Sequence, residues 1–222
     1  MKPRIISIVL LFIMATQVNF GQWIEPILNN YYTYESSQPK KVDEYKDIEG
    51  NPYLDSTFKA GIIYLKDSIA YKLPLRYNIY ADQMEYRQKE VSYIIENPQL
   101  FNMVKLNGSI FVYLPFLDKG GYFELAESGK CSLLQKRLVG YQPAEGPKPV
   151  TMIVNPAKFY RQTDVFYIIR NNKDFYKIKY MNSVIEALKD QEEKIENYIK
   201  QEKIKSTNKE NLIKIVNYYN NL

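Results

Sequence analysis

The stretch Ile69-Ala-Tyr-Lys-Leu-Pro-Leu-Arg-Tyr-Asn-Ile79 alternates between apolar and polar residues without a break. Successive side chains of a β-strand point to opposite faces of the sheet, so this period of two predicts a long strand with one apolar and one polar face. A helix would scatter the six apolar residues around its axis. Pro74 belongs to the polar set and has no backbone N–H, which predicts that the strand lies at a sheet edge or bulges there.

Further segments with the same alternation follow, separated by short turns. Ile62–Lys66 is expected to pair with the strand above across Asp67-Ser68. The clearest hairpin signal is Asn107-Gly108, because this dipeptide suits the left-handed conformations of a type I′ turn. About ten such segments occur between residues 61 and 180. The sequence therefore predicts a mainly β fold over residues 45–180, an antiparallel meander that forms an open curved sheet, a sandwich or a barrel.

Residues 181–222 change from strand to helix periodicity. Ser183-Val-Ile-Glu186 and Thr207-Asn-Lys-Glu210 have the spacing of capping boxes at helix starts. Apolar residues after each box recur every three or four positions, as on one face of a helix: Val184, Ile185, Leu188, Ile195, Tyr198 and Ile199, then Leu212, Ile215, Val216 and Tyr219. This pattern predicts a C-terminal α-helical hairpin packed on the sheet.

The N-terminal residues have the order of an export signal. Two cations, Lys2 and Arg4, precede the apolar run Ile5–Ala15, and a short polar stretch ends at Gly21. We therefore expect a signal peptide over residues 1–21, no transmembrane segment in the mature chain, and residues 22–44 as an N-terminal segment and linker. An uncleaved membrane anchor is the alternative. The protein is expected to be exported, to the periplasm or the cell surface.

The amino-acid composition excludes most common kinds of catalytic site. The chain has no histidine and one cysteine, which excludes Ser-His-Asp and Cys-His catalysis, the usual zinc sites and an internal disulfide. Cys131 starts an apolar strand, where a buried inert thiol is a better interpretation than a nucleophile. No Gly-rich phosphate loop or EF-hand loop is present. We expect no catalytic residue set, no metal site and no cofactor.

Paired carboxylates are the remaining option for general acid–base chemistry. The candidate pairs are Asp82 with Glu85, Glu90 with Glu96, and Glu124 with Glu127. All six lie in or beside turns, where acidic residues also serve simply to keep hairpins soluble. A carboxylate-dependent glycan hydrolase therefore remains an alternative and not the main prediction.

The apolar face of the Ile69–Ile79 strand is the candidate ligand-binding surface. If the sheet encloses a cavity, an acyl chain or another hydrophobic molecule would contact Tyr71, Leu73, Leu75, Tyr77 and Ile79. The alternative is that the same face is filled core.

Tyrosine and charge suggest two further kinds of contact. Twenty-one tyrosines fit half-buried β surfaces, and the alternative is that they form aromatic platforms for sugars or peptides. Residues 128–180 carry an excess of seven positive charges over negative ones, which would attract an anionic surface if it is not simply a solvated sheet face. Export argues against nucleic acid as a partner.

Three stretches of the chain stand out together: Gly50-Asn-Pro-Tyr-Leu54 with Phe58 and Gly61, Pro74-Leu-Arg-Tyr-Asn-Ile-Tyr-Ala-Asp-Gln-Met-Glu-Tyr86, and a tail with Ile195-Glu-Asn-Tyr-Ile-Lys200, Asn211-Leu-Ile and Tyr218-Tyr-Asn220. They resemble a family of uncharacterised exported proteins of the Bacteroidetes group. The resemblance covers residues 45–222 and implies export from a Gram-negative cell. It implies no activity, cofactor or site residue.

The sequence thus favours a non-enzymatic periplasmic or cell-surface binding or assembly factor. Its partner would be a hydrophobic small molecule or an envelope protein. A carrier of a lipid or other hydrophobic ligand is the first alternative, and the glycan hydrolase is the second.

Overall fold

A computed structural model describes residues 45–66, 70–115, 117, 120–146, 155–171 and 174–222. The predicted signal peptide, residues 22–44, Ile69 and the Asp67-Ser68 turn lie outside these residues. Strands dominate the described part of the chain, and its α-helices all lie at the C-terminal end. The predicted mainly β fold with C-terminal helices is confirmed.

The described residues form twelve strands. They are β1 (Lys59–Leu65), β2 (Ala70–Asn78), β3 (Gln83–Gln88), β4 (Val91–Ile94), β5 (Phe101–Leu106), β6 (Ser109–Tyr113), β7 (Tyr122–Glu127), β8 (Cys131–Lys136), β9 (Val139–Gln142), β10 (Lys158–Arg161), β11 (Val165–Arg170) and β12 (Asp174–Ile178).

Ten of these strands form one antiparallel sheet in the order β12-β11-β8-β7-β6-β5-β1-β2-β3-β4. The outermost strands, β12 and β4, do not pair with each other, so the sheet is open and not a closed barrel. β9 and β10 form a separate two-stranded antiparallel sheet.

The strand order departs from a simple meander at two steps: β11 pairs with β8 because β9 and β10 form the separate sheet, and β5 pairs with β1. β5 does not add beside β4 but pairs with β1, on the side of β1 opposite to β2. The chain makes this return through Ile95–Leu100, which ends in a 3₁₀ turn at Pro98–Leu100. Sequential hairpin signals do not encode such a pairing, because its partners are far apart in the chain.

The strand that contains Pro74 is interior in the sheet order, between β1 and β3. Its pairing with β3 begins only at Leu75, although the pairing with β1 includes Pro74 opposite Ala60. Pro74 therefore lies where β2 has a neighbour on one side only. The prediction of an edge position is right for this half of the strand and wrong for the other half.

The Asn107-Gly108 hairpin is confirmed. Both turn residues have left-handed backbone angles, φ 51° for Asn107 and φ 79° for Gly108, as a type I′ turn requires. β5 and β6 pair on either side of it, with Leu106 opposite Ser109.

The sheet is strongly curved, so its own strands cover its apolar face. Tyr77 of β2 packs against Phe111 of β6 and Tyr122 of β7, with ring centroids 5.3 and 5.8 Å apart, although three strands separate β2 from β7 in the sheet. The Tyr77 hydroxyl donates to Asp82 over 2.6 Å, and Asp82 also accepts from Lys136 of β8 over 2.6 Å. A flat sheet would keep these residues apart.

Three helices end the chain: α1 (Met181–Ala187), α2 (Glu192–Gln201) and α3 (Lys209–Asn220). α1 packs on β11 and β12, and α3 packs on β7 and β8. Their apolar side chains share one core with the sheet, which includes Leu133, Ile168, Val184, Ile195 and Leu212. Among the described residues, no helix has the length and apolar character needed to cross a membrane.

The helix starts differ from the capping-box predictions by one to three residues. The first helix begins at Met181, and Ser183 instead donates to and accepts from the backbone of Tyr180. Asn208, not Thr207, caps α3 by accepting from the Asn211 N–H over 2.9 Å. The predicted first helix is also divided, because the buried Leu188 leaves the helical conformation at φ −114° and ψ 25°.

Candidate functional site

The structure separates the carboxylates of the first candidate pair. Asp82 lies in the β2–β3 turn and is held by Tyr77 and Lys136. Glu85 is fully buried and forms an ion pair with Arg76. Arg76 and Tyr77 are neighbours in β2 and point to opposite faces of the sheet, so Glu85 and Asp82 are bound on opposite faces. The two groups therefore do not face a common substrate position.

The other two pairs are also divided. Arg137 and Lys209 bind the buried Glu124 at 2.5 and 2.8 Å. Burial raises the pKa of Glu124, but these hydrogen bonds and charges outweigh it, so its pKa is lowered and the group is held as a carboxylate. Glu127 follows a bulge and accepts from the Ser128 N–H. Glu90 lies exposed in the β3–β4 turn, whereas Glu96 lines a separate cleft.

Cys131 is a buried structural residue. Burial raises the pKa of its thiol to about 12, so the reactive thiolate is scarce at neutral pH. Its backbone N–H and C=O bond the side chain of Asn220, which ties β8 to the end of α3. No group of three potential metal ligands occurs in the described ranges.

The candidate ligand-binding face of β2 is packed. All five predicted residues are less than one-tenth exposed: Tyr71, Leu73, Leu75, Tyr77 and Ile79. Leu75 and Tyr77 line a void of about 10 Å³, which is too small to hold more than a single water molecule. This geometry favours the filled-core alternative for the apolar face.

Aromatic residues instead meet on the surface, in a group that we call the tyrosine patch: Tyr45, Tyr80, Tyr141 and Phe159. Phe159 is the buried base of the patch, and its ring centroid lies 5.0 Å from that of Tyr45 and 4.8 Å from that of Tyr80. Tyr80 and Tyr141 are 42% and 40% exposed. The patch therefore offers two adjacent tyrosine rings to the solvent.

The backbone around Gly50 holds the patch together. Phe159 of β10 pairs with Tyr141 of β9, which places both rings on one face of the small sheet. Glu49 bonds the backbone on both sides of Lys158, at Ala157 O and Phe159 N. Gly50 has φ 84°, and a Cβ there would lie 2.3 Å from Phe159 O. Only glycine fits this close approach.

A pocket that we call the arginine pocket adjoins the patch and shares Tyr45 with it. It has a volume of about 460 Å³ and is lined by Tyr45, Lys46, Ile48, Gly50, Asn51, Pro52, Tyr53, Ser56, Arg76, Arg87 and Ser92. Strand alternation produces this arrangement, because Arg76 pairs with Glu85 across β2 and β3, and Arg87 pairs with Ser92 across β3 and β4. All four side chains therefore lie on the same face of the sheet.

Arg76 is fixed in the floor of the arginine pocket. Its Nε and Nη2 donate to Glu85 Oε2 at 3.0 and 2.5 Å, and its Nη1 donates to the backbone oxygen of Ser56. Its guanidinium lies 3.7 Å from the ring centroid of Tyr53 and 4.4 Å from that of Phe58. Glu85 uses its other oxygen to accept from Asn78, so both of its carboxylate oxygens have partners within the protein.

Sequence patterns predict this site only in part. The number of tyrosines is compatible with aromatic platforms, but no pattern identifies which tyrosines are exposed. Two stretches that carry the family resemblance, residues 50–61 and 74–86, supply Asn51, Tyr53, Phe58, Arg76 and Glu85. The distribution of charge indicates residues 128–180 as the surface for an anionic partner, and the arginine pocket lies outside that stretch.

A scan against protein-family models and searches of curated proteins and solved structures found no match for the chain.

Proposed function

We propose that this protein is an exported, non-enzymatic binding protein of the cell envelope, and that the tyrosine patch is its contact surface. The observation that carries this proposal is the pair of solvent-exposed rings of Tyr80 and Tyr141 beside the arginine pocket. Tyrosine offers a large rigid apolar face and a polar hydroxyl, which is why it is enriched in contact surfaces.

The fixed state of the rings supports a binding role. Tyr80 and Tyr141 both pack on Phe159, with centroids 4.8 and 5.5 Å away. A ring that is already held by its neighbours loses little conformational entropy when a partner covers it. The patch is therefore preorganised for contact.

The state of the carboxylates favours binding over hydrolysis. Glu85 and Glu124 are buried and paired with cations, and Asp82 accepts hydrogen bonds from Tyr77, Lys136 and the backbone of Tyr122. A general acid needs a proton to give and a base needs a free lone pair directed at substrate. These three groups have other partners.

Site-specific cross-linking in the native cell envelope tests the proposal. A photoactivatable benzoylphenylalanine would replace Tyr141 in one variant and Tyr160 in the control. Tyr160 is 46% exposed, but it lies on the opposite face of the same two-stranded sheet, where it is the partner of Gly140. We expect a discrete adduct from position 141 and none from position 160. Equal adducts at both positions, or none at position 141, would contradict the proposal.

A further inference from the structure

The arginine pocket carries excess positive charge. Three cations line it, Lys46, Arg76 and Arg87, and no acidic residue of the described chain does so. Glu85 lies beneath the pocket and compensates only Arg76, since its two oxygens are bonded to Arg76 and Asn78. Arg87 thus adds a positive charge that this buried carboxylate does not balance.

Arg87 is the cation that is available to a ligand. It is exposed, and it forms no ion pair with any residue in the described ranges. Its guanidinium lies 4.5 Å from the ring centroid of Phe58, the same ring that Arg76 contacts at 4.4 Å. Two like charges held on one ring repel each other, so an anion placed beside both would lower the electrostatic energy.

The rest of the lining adds hydrogen-bond donors. Arg76 uses three of its N–H groups for Glu85 and Ser56, and a guanidinium has five. Ser92 stands opposite Arg87 in the β3–β4 ladder and brings a hydroxyl to the same wall. The oxygen of the Asn51 side chain accepts from the Tyr53 N–H, which leaves its amide nitrogen as a donor. Such a set suits a carboxylate.

Aromatic rings continue from the pocket to the patch. Tyr53 lies under Arg76, its ring centroid is 6.2 Å from that of Tyr45, and Tyr45 is 6.0 Å from Tyr80. The patch adds Tyr141 beyond Tyr80. A ligand that follows this line meets charge at one end and ring faces along the rest. Ring faces are electron-rich and attract polarised C–H bonds, which sugar rings present on their flat sides.

From these features we infer that the surface binds an acidic glycan, with the carboxylate of a uronic acid in the arginine pocket and neighbouring sugar rings on the tyrosine patch. The volume of about 460 Å³ is within the roughly 300–1,000 Å³ of typical ligand pockets. The exposed side chains of the patch are tyrosines and not aliphatic residues, which favours a sugar over an apolar peptide. This inference rests on the proposed function, because the two sites share Tyr45.

Calorimetric titration of the purified chain with two matched probes tests the inference. Tetragalacturonate carries carboxylates, and its methyl ester has the same sugar backbone without the charge. We expect the acid to bind at least tenfold more tightly than the ester, and added salt to reduce the difference. Equal affinities for the two probes, or no binding of the acid, would overturn the inference.

Two variants separate the pocket from the patch. Arg87→Gln should weaken binding of the acid at least tenfold and leave binding of the ester unchanged, whereas Lys205→Gln, at an exposed cation outside the pocket, should change neither. Tyr141→Ala should weaken both probes, and Tyr180→Ala, at a tyrosine that is 76% exposed elsewhere, should weaken neither. Thermal unfolding of each variant checks that the fold is intact.

The outcomes distinguish the two proposals. If Tyr141→Ala weakens both probes but Arg87→Gln weakens neither, the patch is a contact surface and the acidic-glycan inference fails. If Arg87→Gln weakens binding of the acid but Tyr141→Ala weakens neither probe, the pocket binds the acid and the proposed role of the patch fails. If tetragalacturonate does not bind but the cross-linker at position 141 captures a peptide, the partner is a protein and the glycan inference is overturned.

Discussion

Glu85 and Glu124 are both buried carboxylates on interior strands of the sheet, yet their neighbouring side chains differ in what they leave for a ligand. Glu124 is bound by two cations, Arg137 and Lys209, and by the Ser109 hydroxyl, and so joins the sheet to α3. Glu85 is bound by Arg76 and Asn78, while the nearby Arg87 has no ion pair in the described part of the chain. Both cations beside Glu124 are paired with it and stabilise the fold, whereas Arg87 beside Glu85 remains available to bind a ligand.

The largest expected effect is that of Glu85→Gln. The variant should lower the free energy of unfolding by about 3–5 kcal/mol, because it leaves the guanidinium of Arg76, which is only 11% exposed, without its counter-charge. Urea denaturation measures this loss. A loss smaller than that of Glu124→Gln would contradict the prediction that the more deeply buried ion pair contributes more to stability.

Glu124→Gln should cost less, about 1–3 kcal/mol. Its two cations are 25% and 29% exposed, so water can solvate them once the carboxylate is gone. Glu127→Gln on the same strand is the matched control, and it should stay within about 0.5 kcal/mol of the parent chain. Equal losses in the two variants would show that the Glu124 cluster is not a link.

The lowered pKa of Glu124 predicts that the stability of the fold depends on pH. Its pKa in the folded chain lies below the ordinary value of 4.5, so the folded state binds protons less readily than the unfolded state. The stabilisation is therefore present above about pH 4.5 and is lost as the pH falls through the lower folded pKa. Urea titrations between pH 6 and pH 3 should show a steeper loss for the parent chain than for Glu124→Gln. Parallel curves would contradict this assignment.

The smallest expected effect is that of Arg87→Gln on stability. Because Arg87 is exposed and has no carboxylate partner in the described ranges, the free energy of unfolding should change by less than about 0.5 kcal/mol. Arg76→Gln is the contrast and should cost about 3–5 kcal/mol, because it leaves Glu85 buried and unpaired. A large loss for Arg87→Gln would mean that this residue is structural.

Local patterns predicted the strands well, since each needed only its own neighbours. Alternation located β2, and Asn107-Gly108 located a turn whose two positive φ angles the side chains themselves favour. An open curved sheet was among the predicted forms, but the pairing of β5 with β1 and the contact of Tyr77 with Tyr122 were not predicted. They depend on contacts between distant segments, which periodicity does not contain.

The candidate site was harder to predict for the same reason. Arg76 was recognised as part of the polar face of its strand, a face that ordinarily meets solvent. In the fold, the segment with Tyr53 and Phe58 covers this face and turns a solvated cation into the floor of a pocket. The sequence pointed to the apolar face as the candidate site, but the residues of that face are buried in the core of the curved sheet.

The most direct test of the account is an NMR titration that follows the guanidinium signals of the arginines while tetragalacturonate is added. If the arginine pocket binds the carboxylate, the Nε–H of Arg87 and the backbone amides of Asn51 and Ser92, which line the same pocket, should shift, whereas Arg137, which is bound to Glu124, should not. Shifts at Arg137 and the start of α3 with none at Arg87 would contradict it.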